Sequence, residues 1–123
     1  MRFVLSRRAA VALVTTGALG SAVVTGVASG ASTARINAAK GKIAFTKKRV
    51  TVRHGTVRLV MKNPNAVPHS IAVRGHGINK KGKVVRRNGT SRVTVRLKRG
   101  RYTFYCTVPG HAKAGMRGTL IVR

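Results

Sequence analysis

The chain of 123 residues contains no aspartate and no glutamate. This absence excludes paired-carboxylate hydrolysis, a Ser/His/Asp triad and carboxylate-held calcium or magnesium as designs built within the chain. No side-chain salt bridge can form either, so the fold must hold by core burial against self-repulsion. There is a single cysteine, Cys106, which excludes an internal disulfide. An unpaired thiol in an exported protein oxidises or cross-links unless something occupies it, and metal ligation supplies a reason for its presence. No long stretch of helical periodicity competes with the short segments described below.

Against these absences stand 26 lysines and arginines. Arg2, Arg7 and Arg8 lie in the first eight residues, which leaves 23 positive charges from Arg35 onward. Such a surface seeks anions. The N-terminus has the order of an export signal: the three early arginines, a mildly apolar run from Ala9 through Val24, then small residues at Ala28, Ser29, Gly30, Ala31, Ser32 and Ala34. Cleavage is expected between Gly30 and Ala34. Residues 1–34 are thus assigned to the signal, 35–41 to a short linker and 42–123 to the folded domain. Ser6-Arg7-Arg8 is compatible with a twin-arginine signal, and an ordinary Sec signal fits as well. The expected location is outside the cytoplasm, whether periplasmic, cell-surface or extracellular.

From Lys42 the chain breaks into short β-branched segments separated by Gly, Pro and Asn, the pattern of an antiparallel sandwich or barrel. Strict alternation puts Val50 and Val52 on one face, and likewise Val57, Leu59 and Met61, then Ile71 and Val73, then Val93, Val95 and Leu97, then Leu120 and Val122. The opposite positions are mostly Arg, Lys and Thr. One face is therefore core and the other basic and wet. Residues 75–91 are the least regular, with a short edge strand placed at Val84 and Val85.

Strand parity turns His69 inward with Ile71 and Val73, and Cys106 inward with Tyr102 and Phe104. After Cys106 the loop offers His111 and Met116 at a Cys-x4-His-x4-Met spacing before the chain re-enters a strand at Gly118. One thiolate, two imidazoles and a weak thioether form the ligand set that suits copper cycling between two oxidation states, whereas a closed zinc site more typically uses additional strong Cys or His ligands. Met61 continues the Val57/Leu59 core stripe, and His54 and His76 have Gly neighbours and no partner motif. Those two histidines cannot furnish the second copper centre of a copper oxidase or nitrite reductase.

Asn65-Ala66-Val67-Pro68-His69, Tyr105-Cys106-Thr107-Val108-Pro109-Gly110-His111 and Gly115-Met116-Arg117-Gly118 together resemble the plastocyanin/azurin cupredoxins. The loop spacing is most similar to the rusticyanin and auracyanin type. The resemblance spans Lys42 to Arg123 and implies an all-β Greek-key sandwich holding one type 1 copper through His69, Cys106, His111 and Met116. It further implies that His111 is the electron port, ringed by an apolar patch of Val67, Pro68, Val108, Pro109, Ala112 and Ala114. Many family members carry Asn after the first His; here Ser70 stands there, facing Thr107, so the contact that steadies the site must be made differently.

The expected function is that of a non-enzymatic one-electron carrier, monomeric, steered by positive charge to acidic redox partner proteins. Two alternatives stand beside it: a protein that scavenges or delivers copper, and a cationic module for anionic lipid or cell-wall polymer, with nucleic acid less favoured.

Overall fold

The computed structural model describes residues 30–123, and the expected export signal lies outside them up to residue 29. Eight strands follow in order: β1 (Ser32–Arg35), β2 (Arg49–Val52), β3 (Gly55–Asn63), β4 (Ala72–Gly75), β5 (Ile78–Lys81), β6 (Gly89–Leu97), β7 (Gly100–Tyr105) and β8 (Arg117–Val122). They form a three-stranded sheet in the order β1-β3-β6 and a five-stranded sheet in the order β2-β8-β7-β4-β5. The pairs β1–β3 and β2–β8 are parallel, and the other pairings antiparallel. Every connection changes sheet except β4–β5 and β7–β8, which gives the expected Greek-key β-sandwich.

The alternation read from the sequence is the alternation of burial. Val57, Leu59 and Met61 of β3 are fully buried, as are Ile71 and Val73 at β4, Phe104 of β7 and Leu120 of β8. Their flanking Arg58, Lys62, Arg74 and Arg117 are exposed. Burying each large side chain of this kind contributes roughly 1.5–3 kcal/mol, and with no carboxylates to pair the surface charges this core is the main cohesive term. Phe45 and Phe104 meet edge to face with ring centroids 5.3 Å apart. Tyr105 points to the outer side yet is also buried, beneath the Arg74 guanidinium at 4.4 Å and hydrogen-bonded through its hydroxyl to Asn79 Oδ1 at 2.6 Å.

Two boundaries differ from the sequence expectation. Residues 35–41, assigned to a linker, belong to the domain: β1 pairs with β3 from Ser32↔Val57 to Arg35↔Val60, and Ile36 and Ala38 are buried in the core. The small residues that suggest a signal-peptidase site also suit a tightly packed edge strand, and the parallel register with β3 cannot be read from either segment alone. The edge strand expected at Val84 and Val85 lies instead at Ile78–Lys81. Val84 is exposed, while Val85 makes an isolated bridge to His69.

Candidate metal centre

The site forms where one crossover meets one hairpin loop. His69 lies on the connection from β3 to β4, while Cys106, His111 and Met116 belong to the β7–β8 loop. The start of β4, the end of β7 and the start of β8 meet at the same end of the sheet, because Ala72 pairs with Tyr105 and Tyr105 pairs with Arg117.

The His69 side is pinned from several directions. Its backbone exchanges hydrogen bonds with Val85, N to O at 3.0 Å and O from N at 2.8 Å. Asn63, fully buried, donates from Nδ2 to Val67 O and Val85 O, both at 2.8 Å, and accepts from Asn65 N through Oδ1 at 2.8 Å. Asn65 in turn holds residues 39–41, donating to Ala39 O and accepting from Gly41 N. In the sequence, Asn63-Pro64-Asn65 is one of the Pro and Asn breaks that end a strand. The strand parity of Asn63, in phase with Val57, Leu59 and Met61, is the signal that marked it as inward and in need of partners.

The β7–β8 loop is tied by its own backbone. Cys106 N donates to Met116 O at 3.1 Å, and Met116 N donates to His111 O at 3.0 Å. His111 N donates to Val108 O and Ala114 N to Gly110 O, both at 3.0 Å, closing two consecutive turns. Gly110 and Gly115 supply the positive φ angles, 84° and 114°, that these turns require and that other residues adopt with strain. Arg117 caps the loop by donating to Ala112 O at 2.7 Å.

These constraints bring His69, Cys106 and His111 together, with one ligand atom from each inside a 4.8 Å cluster. His69 Nδ1 and His111 Nδ1 are 3.2 Å apart, and Cys106 Sγ lies 3.6 Å from His111 Nδ1. No other such cluster occurs among the described residues. Met116 is fully buried, and its backbone bonds to both Cys106 and His111 place it at the same end of the core. Met61 sits in the core as expected, and His54 and His76 are exposed and outside the cluster. His54 instead bonds to Arg123 O at 2.8 Å, and His76 packs against Tyr102.

Ser70 makes the contact that the sequence left open. Its hydroxyl accepts from Thr107 N at 2.9 Å and shares a 2.6 Å hydrogen bond with Thr107 Oγ1. Its backbone N–H points at Cys106 Sγ at 3.4 Å. A donor aimed at the sulfur fixes its orientation beside the two imidazoles. The His69 imidazole is held below its ordinary pKa, first by burial and then by the charge of His111. It therefore stays neutral near pH 7, with a lone pair to give. Soft sulfur and two imidazole rings converging on one point are a donor set that fits copper.

A family model for copper-binding proteins of the plastocyanin/azurin family matches residues 32–123. The chain belongs to that family. The match begins where β1 begins, in agreement with the boundary seen in the fold. Comparison with curated protein sequences gives no match. Among solved structures, auracyanin A, described as a "blue" copper protein of Chloroflexus aurantiacus, is similar at 26% identity and a TM-score of 0.66, over 76% of this chain and 100% of its own. Reduced auracyanin of Roseiflexus castenholzii is similar at 25% identity and a TM-score of 0.65, over 74% of this chain and 96% of its own. An amicyanin variant shares the fold at 21% identity and a TM-score of 0.57, over 74% and 82% of the two chains. This cupredoxin thus takes one type 1 copper as its cofactor.

The set of apolar residues expected around His111 is at least partly exposed throughout, and the fold adds one more. Val67, Pro109 and Ala114 are exposed, and Pro68, Val108, Ala112 and His111 are partly so. Ile43, 43% exposed, extends it: with Ala66 and Val67 it lines a groove of about 220 Å³ that reaches His69. Ile43 gave no signal in the sequence because it lies outside every strand, and only the fold carries its loop to this end.

Proposed function

We propose that this cupredoxin is an exported one-electron carrier whose copper is ligated by His69, Cys106, His111 and Met116. The observation that carries the reading is the convergence of His69, Cys106 and His111, one ligand atom of each within 4.8 Å of the others, at one end of the sandwich. When bound, copper supplies the one-electron couple. The protein's part is to keep the donors in nearly one arrangement in both oxidation states. His69, Cys106 and Met116 are buried and cannot drift toward solvent, and Ser70 with Thr107 locks the Cys106 strand end to the His69 segment. His111 is the one partly exposed member, and its ring edge, framed by Val67, Pro68, Val108, Pro109, Ala112, Ala114 and Ile43, is the proposed electron port. Electrons pass there without transformation of a substrate.

A surface with 23 cations and no carboxylate favours acidic redox partners and raises their encounter rate at low salt. The export signal is proposed to end before Ser32, because Ala34 and Ile36 are already core residues and cleavage beyond them would remove a paired strand.

The test separates a carrier from a protein that delivers copper. The copper-loaded protein is cycled electrochemically in the presence of a Cu(I) chelator. A carrier gives a reversible one-electron wave and retains its copper through many cycles. Transfer of the metal to the chelator within the first few cycles would overturn the reading.

A further inference from the structure

The outer face of the three-stranded sheet has no role in the metal centre, yet it is regular in composition. From β1 it presents Thr33 and Arg35, from β3 Thr56, Arg58 and Lys62, and from β6 Thr90, Arg92, Thr94 and Arg96. The register interleaves them. Arg58 lies between Thr33 and Thr94, Arg96 lies opposite Thr56, and Lys62 lies opposite Thr90. Arg35 and Arg92 flank Val60, the one apolar side chain on this face, which is buried between them.

Arg58, Lys62 and Arg96 therefore each have a hydroxyl as cross-strand neighbour, Arg35 and Arg92 share Val60, and each cation has another cation on the diagonal. Diagonal positions in a sheet are roughly 7–8 Å apart, so Arg96, Arg58 and Arg92 form one zigzag, and Arg58, Arg35 and Lys62 continue it across β1. That spacing is comparable to the phosphate repeat of an extended phosphodiester chain. A guanidinium fork beside a hydroxyl donor suits phosphate oxygens. The outer face of the five-stranded sheet differs. There, Arg74 is stacked on Tyr105, Arg117 is bonded to Ala112 O, and Ile121 interrupts the cations.

What the three-stranded face lacks narrows the occupant. It exposes no apolar side chain to enter a bilayer. It has no aromatic residue on which bases could stack. Its cations all lie on paired strands, with no helix among the described residues to enter a duplex groove. We propose that this face binds a linear phosphodiester polymer without bases, such as a polyol phosphate. The polymer would lie along the Arg/Thr lattice of β1, β3 and β6. The apolar copper end, formed by the loops beyond β3 and β7, stays clear of it, so a carrier held on such a polymer can still meet its redox partners. The binding itself does not depend on the reading of the metal centre.

The test compares two charge-matched variants of the protein for binding a labelled poly(glycerol phosphate) across a salt series. The first is Arg58→Thr/Arg92→Thr/Arg96→Thr; the second removes Arg49, Arg99 and Arg101, exposed cations on or beside the five-stranded sheet. Threonine suits strand positions and preserves folding, which circular dichroism checks. The expected result is that the first variant loses at least roughly tenfold in affinity, with a salt slope lower by about 2, one unit of about 0.7 per lost phosphate contact. The second should lose less than roughly threefold. Equal weakening in both variants would show that binding follows net charge alone and would overturn the proposal. So would tighter binding of duplex DNA or of phosphatidylglycerol vesicles at equal phosphate concentration.

Discussion

The two imidazoles of the metal centre, chemically identical, sit in opposite settings. His69 is wholly buried, its backbone is bonded to Val85 on both sides, and the fully buried Asn63 fixes the segment leading to it. His111 is partly exposed on a loop held by its own turns, by Arg117 and, at its start, by the Ser70–Thr107 hydrogen bonds. The difference divides the labour of the site. The His69 half fixes geometry, and the His111 half gives access. A single rigid cage would insulate the electron, whereas two open loops would let the donors rearrange with each change of charge.

Deleting each ring in turn breaks this comparison most sharply. His111→Gly opens a hole to solvent, and added imidazole should enter it and restore the visible copper–thiolate band. His69→Gly leaves a hole buried beneath the floor of the Ile43/Val67 groove rather than open to solvent, and imidazole should not restore the band. Rescue of both variants, or of neither, would show that exposure does not distinguish the two halves.

The next effect falls on the scaffold of the buried half. Asn63→Ala removes two donors and one acceptor and leaves Val67 O without its partner. A loss of about 2–4 kcal/mol in unfolding free energy is expected by denaturant titration, with weaker copper retention. A change within about 0.5 kcal/mol would mean that the His69 segment is held by other means.

A smaller effect comes with pH. The folded state resists protonation of His69, first through burial and then through the His111 charge, whereas the unfolded chain takes up the proton near the ordinary value of 6.5. Its folded-state pKa being the lower one, the metal-free protein has its full stability above pH 6.5 and loses stability as pH falls below it. Urea midpoints measured about one unit above and below that value should differ in that direction. His69→Gln should flatten the difference.

The smallest effect concerns the charged surface seen from the site. Oxidised copper–thiolate carries one more positive charge than the reduced form, so surrounding cations favour reduction. Each cation at about 10 Å contributes roughly 0.4 kcal/mol at the dielectric of water, less with screening. The reduction potential should therefore fall as salt rises, and a potential indifferent to salt would count against this.

Much of the centre is legible in the sequence because strand parity is local: alternation alone turns His69, Cys106 and the core valines inward. The Cys-x4-His-x4-Met loop is equally local. What is not legible depends on pairings between distant segments. β1 hides among the small residues of a signal boundary, and only its register with β3 reveals it. The role of Asn63 depends on carbonyls 4 and 22 residues away. Ile43 joins the apolar end through the fold of a loop that has no periodicity of its own.

The central claim is that Cys106 and the two imidazoles hold copper together. Cu(II) titrated into the protein, followed by visible and EPR spectroscopy, tests it most directly. The expected result is an intense thiolate-to-copper band that saturates at one copper per chain and is absent from Cys106→Ser. No such band, or a band that survives the substitution, would contradict the account.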